Sequence, residues 1–214
     1  KNVPNPDEFM IDIGMGKDTK DVIQIGDYVV MDEPFLELGK HRVVSKALDN
    51  RIACWLGIEA LRNYEGNADL YVIFTVQEEV GLRGAKTGSY NVMPDITIGL
   101  DVTLACDTPG VPGNKTTSKL GEGFCLGIRD ASMISDKQLV KRFMELAAKK
   151  GIPVQRVASG GGGQDAAAGQ QTAGGSKAIN LAVGTRYIHT VTEMADKRDL
   201  QATKEILLTY LHNL

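Results

Sequence analysis

Residues 137–157 read KQLVKRFMELAAKKGIPVQRV, and they contain a helix signal followed directly by a strand signal. Apolar residues recur at helical spacing from Lys137 to Lys150, and Gly151 follows as a typical helix stop. Residues 152–157 (IPVQRV) then have the length and composition of a short strand. A helix that leads into a strand is the building unit of a layered α/β domain, so this stretch predicts that fold class.

The alternation continues on both sides of this stretch. One-sided apolar spacing predicts helices over residues 50–62 and 196–212, and apolar runs predict strands at DLYVIFTV (69–76), PDITIGL (94–100) and KAINLAV (177–183). We therefore predict a three-layer α/β/α domain over residues 48–214, with a largely parallel central sheet. Residues 1–47 contain short strand-like runs at 9–13 and 28–31, which predict the end of a small β domain.

Composition excludes several classes of function. The formal net charge is -3 and there is no dense Lys/Arg tract, so we expect no nucleic-acid partner. No apolar run approaches the roughly 18 residues of a membrane helix, so we expect no membrane partner. The three cysteines form an odd set without CxxC spacing, which is typical of free thiols in the cytoplasm.

Acidic residues and one histidine follow the predicted strands or begin a helix. Glu78 and Glu79 follow the predicted strand at 69–76, and Asp101 follows the one at 94–100. His189 comes after the strand at 177–183, and Asp49 begins the first helix. Each has an ordinary explanation when taken alone, such as a helix cap, a solvated loop or a half-buried histidine. Because functional residues gather beyond the carboxyl ends of strands, the shared position favours one site.

These residue types are suited to a hydrolytic metal centre. Asp, Glu and His are ligands of zinc, cobalt and manganese. Two hydrolytic metal ions about 3.5–4 Å apart require a shared carboxylate. Since neighbouring side chains of an extended segment diverge, one glutamate of the pair can bind metal while the other serves as general base to a water molecule.

Five motifs in these segments resemble the M42 family of metallopeptidases, which includes glutamyl, deblocking and tetrahedral aminopeptidases. They are KALDNR (46–51), QEEVGLRGA (77–85), GLDVT (99–103) with DTPG (107–110), GGGQDA (161–166) and RYIHT (186–190). They occur in the family's order and extend over most of the chain. The resemblance implies that Asp49 bridges two metal ions, that Glu79 and His189 bind one of them, that Asp101 binds the other, and that Glu78 is the general base.

The same resemblance implies an activity. The expected function is a two-metal aminopeptidase that hydrolyses N-terminal residues from peptides. The complete protein would hold two divalent ions per subunit, zinc or cobalt with manganese as a third candidate, and would form a homo-oligomer. Two alternatives stay open: a related two-metal deacylase or carboxypeptidase, and a metal-poor, non-catalytic assembly subunit.

The sequence departs from the family pattern in two places. The upstream His-Met-Asp motif, whose histidine is a metal ligand, is absent; His41 and His212 are in the wrong context to replace it. We therefore expect that residues 48–214 lack the N-terminal part of the catalytic domain, and that this chain alone binds at most one metal ion tightly. Gln164 stands where the family has threonine, beside Asp165, which the resemblance marks as substrate-binding.

Overall fold

The computed structural model describes residues 5–214, and the chain divides into two compact units after Met31. In the first unit, residues 5–31 contain two short 3-10 helices, Pro6–Glu8 and Gly16–Asp21, and no strand. The strand-like runs predicted at residues 9–13 and 28–31 are therefore not strands here. A strand requires a hydrogen-bonding neighbour, and residues 5–31 provide none.

The second unit contains seven strands and five helices in α/β alternation. The strands are β1 (Leu36–Leu38), β2 (Arg42–Ser45), β3 (Ile96–Leu104), β4 (Phe124–Arg129), β5 (Val154–Ala158), β6 (Lys177–Arg186) and β7 (Glu193–Asp196). The helices are α1 (Leu48–Asn63), α2 (Arg83–Val92), α3 (Lys137–Lys150), α4 (Ala166–Gln170) and α5 (Lys197–Leu211). None of the helices in the described part of the chain is long and apolar enough to span a membrane.

The strands form one mixed sheet in which β6 is central. The order is β1-β2-β7-β6-β4-β5, and β3 pairs with β6. The pairs β3–β6 and β4–β5 are parallel, whereas β4–β6, β6–β7, β2–β7 and β1–β2 are antiparallel. The predicted α/β fold class is confirmed, and antiparallel pairing at β7 and at β4 makes the sheet mixed.

Helices cover both faces of the sheet. Successive side chains of β6 point to opposite faces, and those on both faces are buried. Leu181 and its odd-numbered neighbours in β6 belong to the main core, together with residues of α1, α3 and α5. In that core the rings of Phe143 and Tyr210 stack with centroids 4.4 Å apart. On the other face, Ala178 packs with Ala166 and Ala167 of α4. This is the three-layer arrangement.

Helix α3 has the bounds that its sequence predicts. The Asp136 side chain accepts hydrogen bonds from the backbone N–H groups of Gln138 and Leu139, which caps the N-terminus. Gly151 adopts the left-handed conformation (φ 68°) at the other end, where a side chain would be strained.

Residues 69–76, predicted as a buried strand, form no strand ladder. Val72 and Phe74 pack against Gly57 of α1. They lie so close that a Cβ atom at position 57 would be only 2.9 Å from Val72 Cγ1. Residues Tyr71 and Phe74 are nevertheless 63% and 52% exposed. The run is apolar enough for a buried strand, but the described residues offer no neighbouring strand to pair with it.

The first hairpin belongs to the second unit. Strand β1 pairs with β2, and β2 pairs with β7 from Arg42↔Asp196 to Ser45↔Glu193. The sequence places a domain boundary after Ala47, whereas the compact units divide after Met31. The difference is this hairpin, which extends the sheet and leads the chain directly into α1.

Candidate functional site

Three of the proposed ligands lie together although they come from three separate segments. Asp49 is at the start of α1, Glu79 precedes α2, and His189 is in the turn after β6. The His189 Nε2 atom is 3.2 Å from Asp49 Oδ2 and 3.0 Å from Glu79 Oε1. One ligand atom from each residue lies within 4.8 Å of the other two. Because zinc–nitrogen and zinc–oxygen distances are about 2.0–2.2 Å, this group can close around one cation.

Each of these segments contains a non-glycine residue in the left-handed backbone region. The φ angles are 56° at Ala47, 59° at Gln77 and 65° at His189. This conformation is uncommon for residues with a side chain, and it clusters at functional sites. The left-handed residue lies two positions before Asp49 and Glu79, and in the third segment it is His189 itself.

Asp49 does not act as a helix cap. The N-terminal cap position of α1 is Ala47, which makes no capping side-chain bond, and Asp49 itself has non-helical angles (φ -82°, ψ 102°). Asn50 Oδ1 instead accepts a hydrogen bond from Ala53 N at 3.1 Å. The Asp49 carboxylate points towards His189, and burial, followed by the charges of Glu79 and Glu193, raises its pKa.

Asp101 lies inside β3 rather than after it, because the strand continues to Leu104. Its Oδ1 accepts hydrogen bonds from Asn50 Nδ2 at 2.6 Å and from Val102 N at 2.7 Å. It is not part of the three-residue group that the described chain brings together. Burial raises its pKa well above the usual range. Its role as a ligand of a second ion stays a prediction.

Glu78 is half-buried and borders a cavity that its neighbour Glu79 also lines. The cavity has a volume of about 460 Å³, and its lining includes Glu79, Gly163, Ala167 and Ala168. Burial, and then the charges of nearby carboxylates, raises the pKa of Glu78 to about 7. A carboxyl group with this pKa can accept and release a proton near neutral pH.

The GGGQDA segment contributes two buried oxygen atoms to this region. Asp165 Oδ2 accepts a hydrogen bond from Thr75 Oγ1 at 2.5 Å, whereas Asp165 Oδ1 is buried and has no partner among the described residues. Gln164 donates to the carbonyl of Val102 at 3.4 Å, and its own Oε1 is likewise unpartnered there. Burial raises the pKa of Asp165. Neither oxygen is exposed at the surface, so each is a buried acceptor that the described residues leave unsatisfied.

Sequence reasoning missed two residues at this site. Asn50 joins the start of α1 to Asp101, and Glu193 accepts hydrogen bonds from the backbone N–H groups of Asp49 and His189. Asn50 lies within the KALDNR motif, which was a usable signal, but nothing in the sequence distinguishes Glu193 from a surface glutamate. His212 is elsewhere, with Nε2 2.6 Å from the Asn63 carbonyl.

Comparison with known proteins identifies the family. The model of the M42 glutamyl aminopeptidase family matches residues 1–206. The chain belongs to the M42 family.

M42 relatives resemble this chain in both sequence and structure. Lysyl aminopeptidase from Pyrococcus furiosus is 32% identical over 97% of this chain and 60% of its own length. Aminopeptidase APDkam598 from the archaeon Desulfurococcus kamchatkensis is 34% identical and superimposes with a TM-score of 0.95 over 100% of this chain and 62% of that chain. The Pyrococcus horikoshii TET1 peptidase, described as assembling into a tetrahedron or a large octahedral shell, is 29% identical and has a TM-score of 0.76 over 91% of this chain and 57% of that chain.

The chain is shorter than its M42 relatives. It spans between 50% and 60% of the length of the first three curated relatives it matches.

Proposed function

We propose that the complete protein is a two-metal aminopeptidase that removes N-terminal residues from peptides. The observation that carries the proposal is the convergence of Asp49, Glu79 and His189 beside Glu78, in a chain of the M42 family. Two acidic oxygens and one imidazole nitrogen are a suitable set for a hydrolytic divalent cation.

The residues present fit one ion directly and a second in part. Asp49, Glu79 and His189 would hold the first ion, and Asp49 with Asp101 would contribute to the second. Zinc or cobalt suits the mixed oxygen and nitrogen donors, and manganese suits a more oxygen-rich second position. When bound, divalent ions supply Lewis-acid polarisation of a carbonyl and of a water molecule.

Glu78 would transfer the proton. It is the neighbour of Glu79 but is absent from the ligand group, so its carboxylate remains free to face the cavity. In the proposed reaction a Glu78 carboxylate oxygen accepts a proton from the attacking water. The same oxygen then donates that proton to the leaving amine nitrogen, which completes cleavage of the peptide bond.

The cavity beside Glu78 would receive part of the peptide substrate. Small residues such as Ala167 and Gly163 leave space in it, and Gln171 and Lys86 supply polar groups to its lining. Asp165 would lie beside the bound substrate, since its charge is one of those that raise the pKa of Glu78. These features support peptide binding at the rim of the sheet.

Substrate class tests the proposal. The complete protein, loaded with Zn²⁺ or Co²⁺, is assayed on aminoacyl p-nitroanilides and, in parallel, on N-acyl amino acids and on peptides with blocked N-termini. An aminopeptidase hydrolyses only the first group at a substantial rate. Preference for N-acyl amino acids would replace the proposal with a deacylase. Inactivity on all of them, together with failure to retain metal, would favour a metal-poor assembly subunit.

We further propose a cytoplasmic homo-oligomer. The assembly described for the Pyrococcus horikoshii TET1 peptidase supports self-association. Three free thiols, at Cys54, Cys106 and Cys125, support a reducing compartment. Light scattering of the complete protein at micromolar concentration tests the assembly, and a monomeric mass would contradict it.

A further inference from the structure

Glu193 connects two metal-site segments that are far apart in sequence. It is the first residue of β7 and is only 2% exposed. Its Oε2 accepts a hydrogen bond from Asp49 N at 2.9 Å, and its Oε1 accepts one from His189 N, also at 2.9 Å. One carboxylate therefore fixes the backbone of both residues.

The sheet register explains how Glu193 reaches both segments. Ser45, at the end of β2, pairs directly with Glu193. The chain then reverses through Ala47, whose φ is 56°, and returns the N–H of Asp49 towards the Glu193 side chain. On the other side, His189 lies in the turn between β6 and β7, four residues before Glu193. The two left-handed residues, Ala47 and His189, thus lie at or next to the backbone segments that Glu193 hydrogen-bonds.

The chemistry of this contact requires a carboxylate. Two backbone N–H groups approach two different oxygens of Glu193, so the position needs two acceptors. A glutamine has one acceptor oxygen, and its NH₂ group would face an N–H donor. A buried carboxylate without hydrogen bonds is strongly unfavourable, and a buried N–H without an acceptor also costs stability.

We propose that Glu193 is a positioning residue for the metal centre: by holding the backbones of Asp49 and His189, it sets the separation of their ligand atoms. It does not contact the metal or the substrate in this account. The inference rests on the proposed function, because it concerns the affinity and geometry of that metal site. Partners that orient metal ligands typically change metal affinity by about 10–100-fold when they are removed.

A matched control exists in the same part of the fold. Asp199 is a buried carboxylate whose two oxygens accept backbone hydrogen bonds from Gly121 N at 2.6 Å and Gly123 N at 2.8 Å. It accepts two backbone hydrogen bonds as Glu193 does, but they come from the loop before β4, which contains none of the proposed metal ligands. Asp199→Asn therefore reproduces the loss of a buried double acceptor without touching the metal-site segments.

The experiment compares Glu193→Gln and Asp199→Asn with the unchanged complete protein at one neutral pH. Co²⁺ affinity is measured by calorimetry, coordination by the visible absorption of the Co²⁺-loaded protein, and stability by thermal melting. We expect both variants to lose stability, but only Glu193→Gln to lower Co²⁺ affinity by about 10–100-fold and to change the absorption spectrum.

The outcomes separate this inference from the proposed function. Failure of the unchanged protein to bind Co²⁺ would overturn the proposed function and, with it, the inference. Normal binding by the unchanged protein, together with unchanged affinity and spectrum in Glu193→Gln, would overturn the inference alone. If Glu193→Gln does not fold, Glu193→Asp is used, because it keeps the charge but is shorter by one methylene. Its Co²⁺ affinity should also fall, and unchanged affinity would again overturn the inference.

Discussion

The side chains of β6 are buried along nearly its whole length, whereas four apolar side chains of residues 69–76 are exposed. Strand β6 pairs with β3, β4 and β7 and is covered by helices on both faces. Residues 69–76 have no ladder partner within residues 5–214, but they lead directly into Glu78 and Glu79. We infer that β6 carries much of the stability of the fold, whereas residues 69–76 lead the chain to two of the proposed functional residues.

The largest expected effect lies at the end of the exposed segment. Glu78→Gln removes the proposed proton acceptor without removing a ligand, so turnover should fall by about 10²–10⁴-fold. Metal content and thermal stability should stay close to those of the unchanged protein. Steady-state hydrolysis of an aminoacyl anilide measures the effect, with Glu65→Gln, at an exposed position after α1, as the control. Retention of more than about half of the activity would remove Glu78 from its assigned role.

The largest effect on the free energy of unfolding is expected in the buried strand β6. Leu181 is fully buried in β6, and Leu181→Ala would leave a cavity in the main core. The free energy of unfolding should fall by about 2–5 kcal/mol. Urea denaturation monitored by circular dichroism gives this value. A loss below about 1 kcal/mol would mean that β6 is less important to stability than its burial indicates.

The buried region should also make stability depend on pH. Burial raises the pKa of Asp199 to about 6, above its ordinary value of 3.8. The folded state therefore binds this proton more tightly than the unfolded state does, and the resulting stabilisation is present below about pH 4 and lost as pH rises through 6. From pH 4 to pH 7 this amounts to up to about 3 kcal/mol.

Asp199→Asn isolates this contribution. The free energy of unfolding of the unchanged protein, minus that of the variant, should decrease between pH 4 and pH 7. Denaturation curves for both proteins at each pH provide the difference. An increase over that range would give the opposite sign and would contradict the assigned effect of burial.

The smallest effect is expected for the exposed apolar side chains. Phe74 is 52% exposed, so Phe74→Ala in the 214-residue chain should lower the free energy of unfolding by less than about 1.5 kcal/mol. Urea denaturation of Phe74→Ala and Leu181→Ala, both in the 214-residue chain, compares the two regions directly. Equal losses in the two variants would show that residues 69–76 contribute to the core as much as β6 does.

These two regions also show how far sequence reasoning reached. Residues 137–150 were predicted as a helix and form α3, because Asp136 and Gly151 are local signals that fix its ends. Residues 177–183 were predicted as a strand and lie within β6. The similar run at 69–76 forms no strand because ladder pairing depends on neighbours that are distant in sequence.

The grouping of three candidate ligands could be predicted for similar reasons, whereas their roles in metal binding stay a prediction. Asp49, Glu79 and His189 could be named from their positions beside predicted elements, and the structure brings them together. The double contact of Glu193 could not be named, since it arises from the Ser45↔Glu193 register and from a left-handed turn at Ala47. Only tertiary structure brings those features to one point.

The most direct test of the account is the metal content of three proteins: the unchanged complete protein, Glu78→Gln and Glu79→Gln. Each is loaded with Zn²⁺, dialysed and measured by elemental analysis. We expect the unchanged protein and Glu78→Gln to retain the same amount of metal, and Glu79→Gln to retain less because it loses a proposed ligand beside His189. Equal metal loss in both variants, or no bound metal in the unchanged protein, would contradict the proposed division of roles between Glu78 and Glu79.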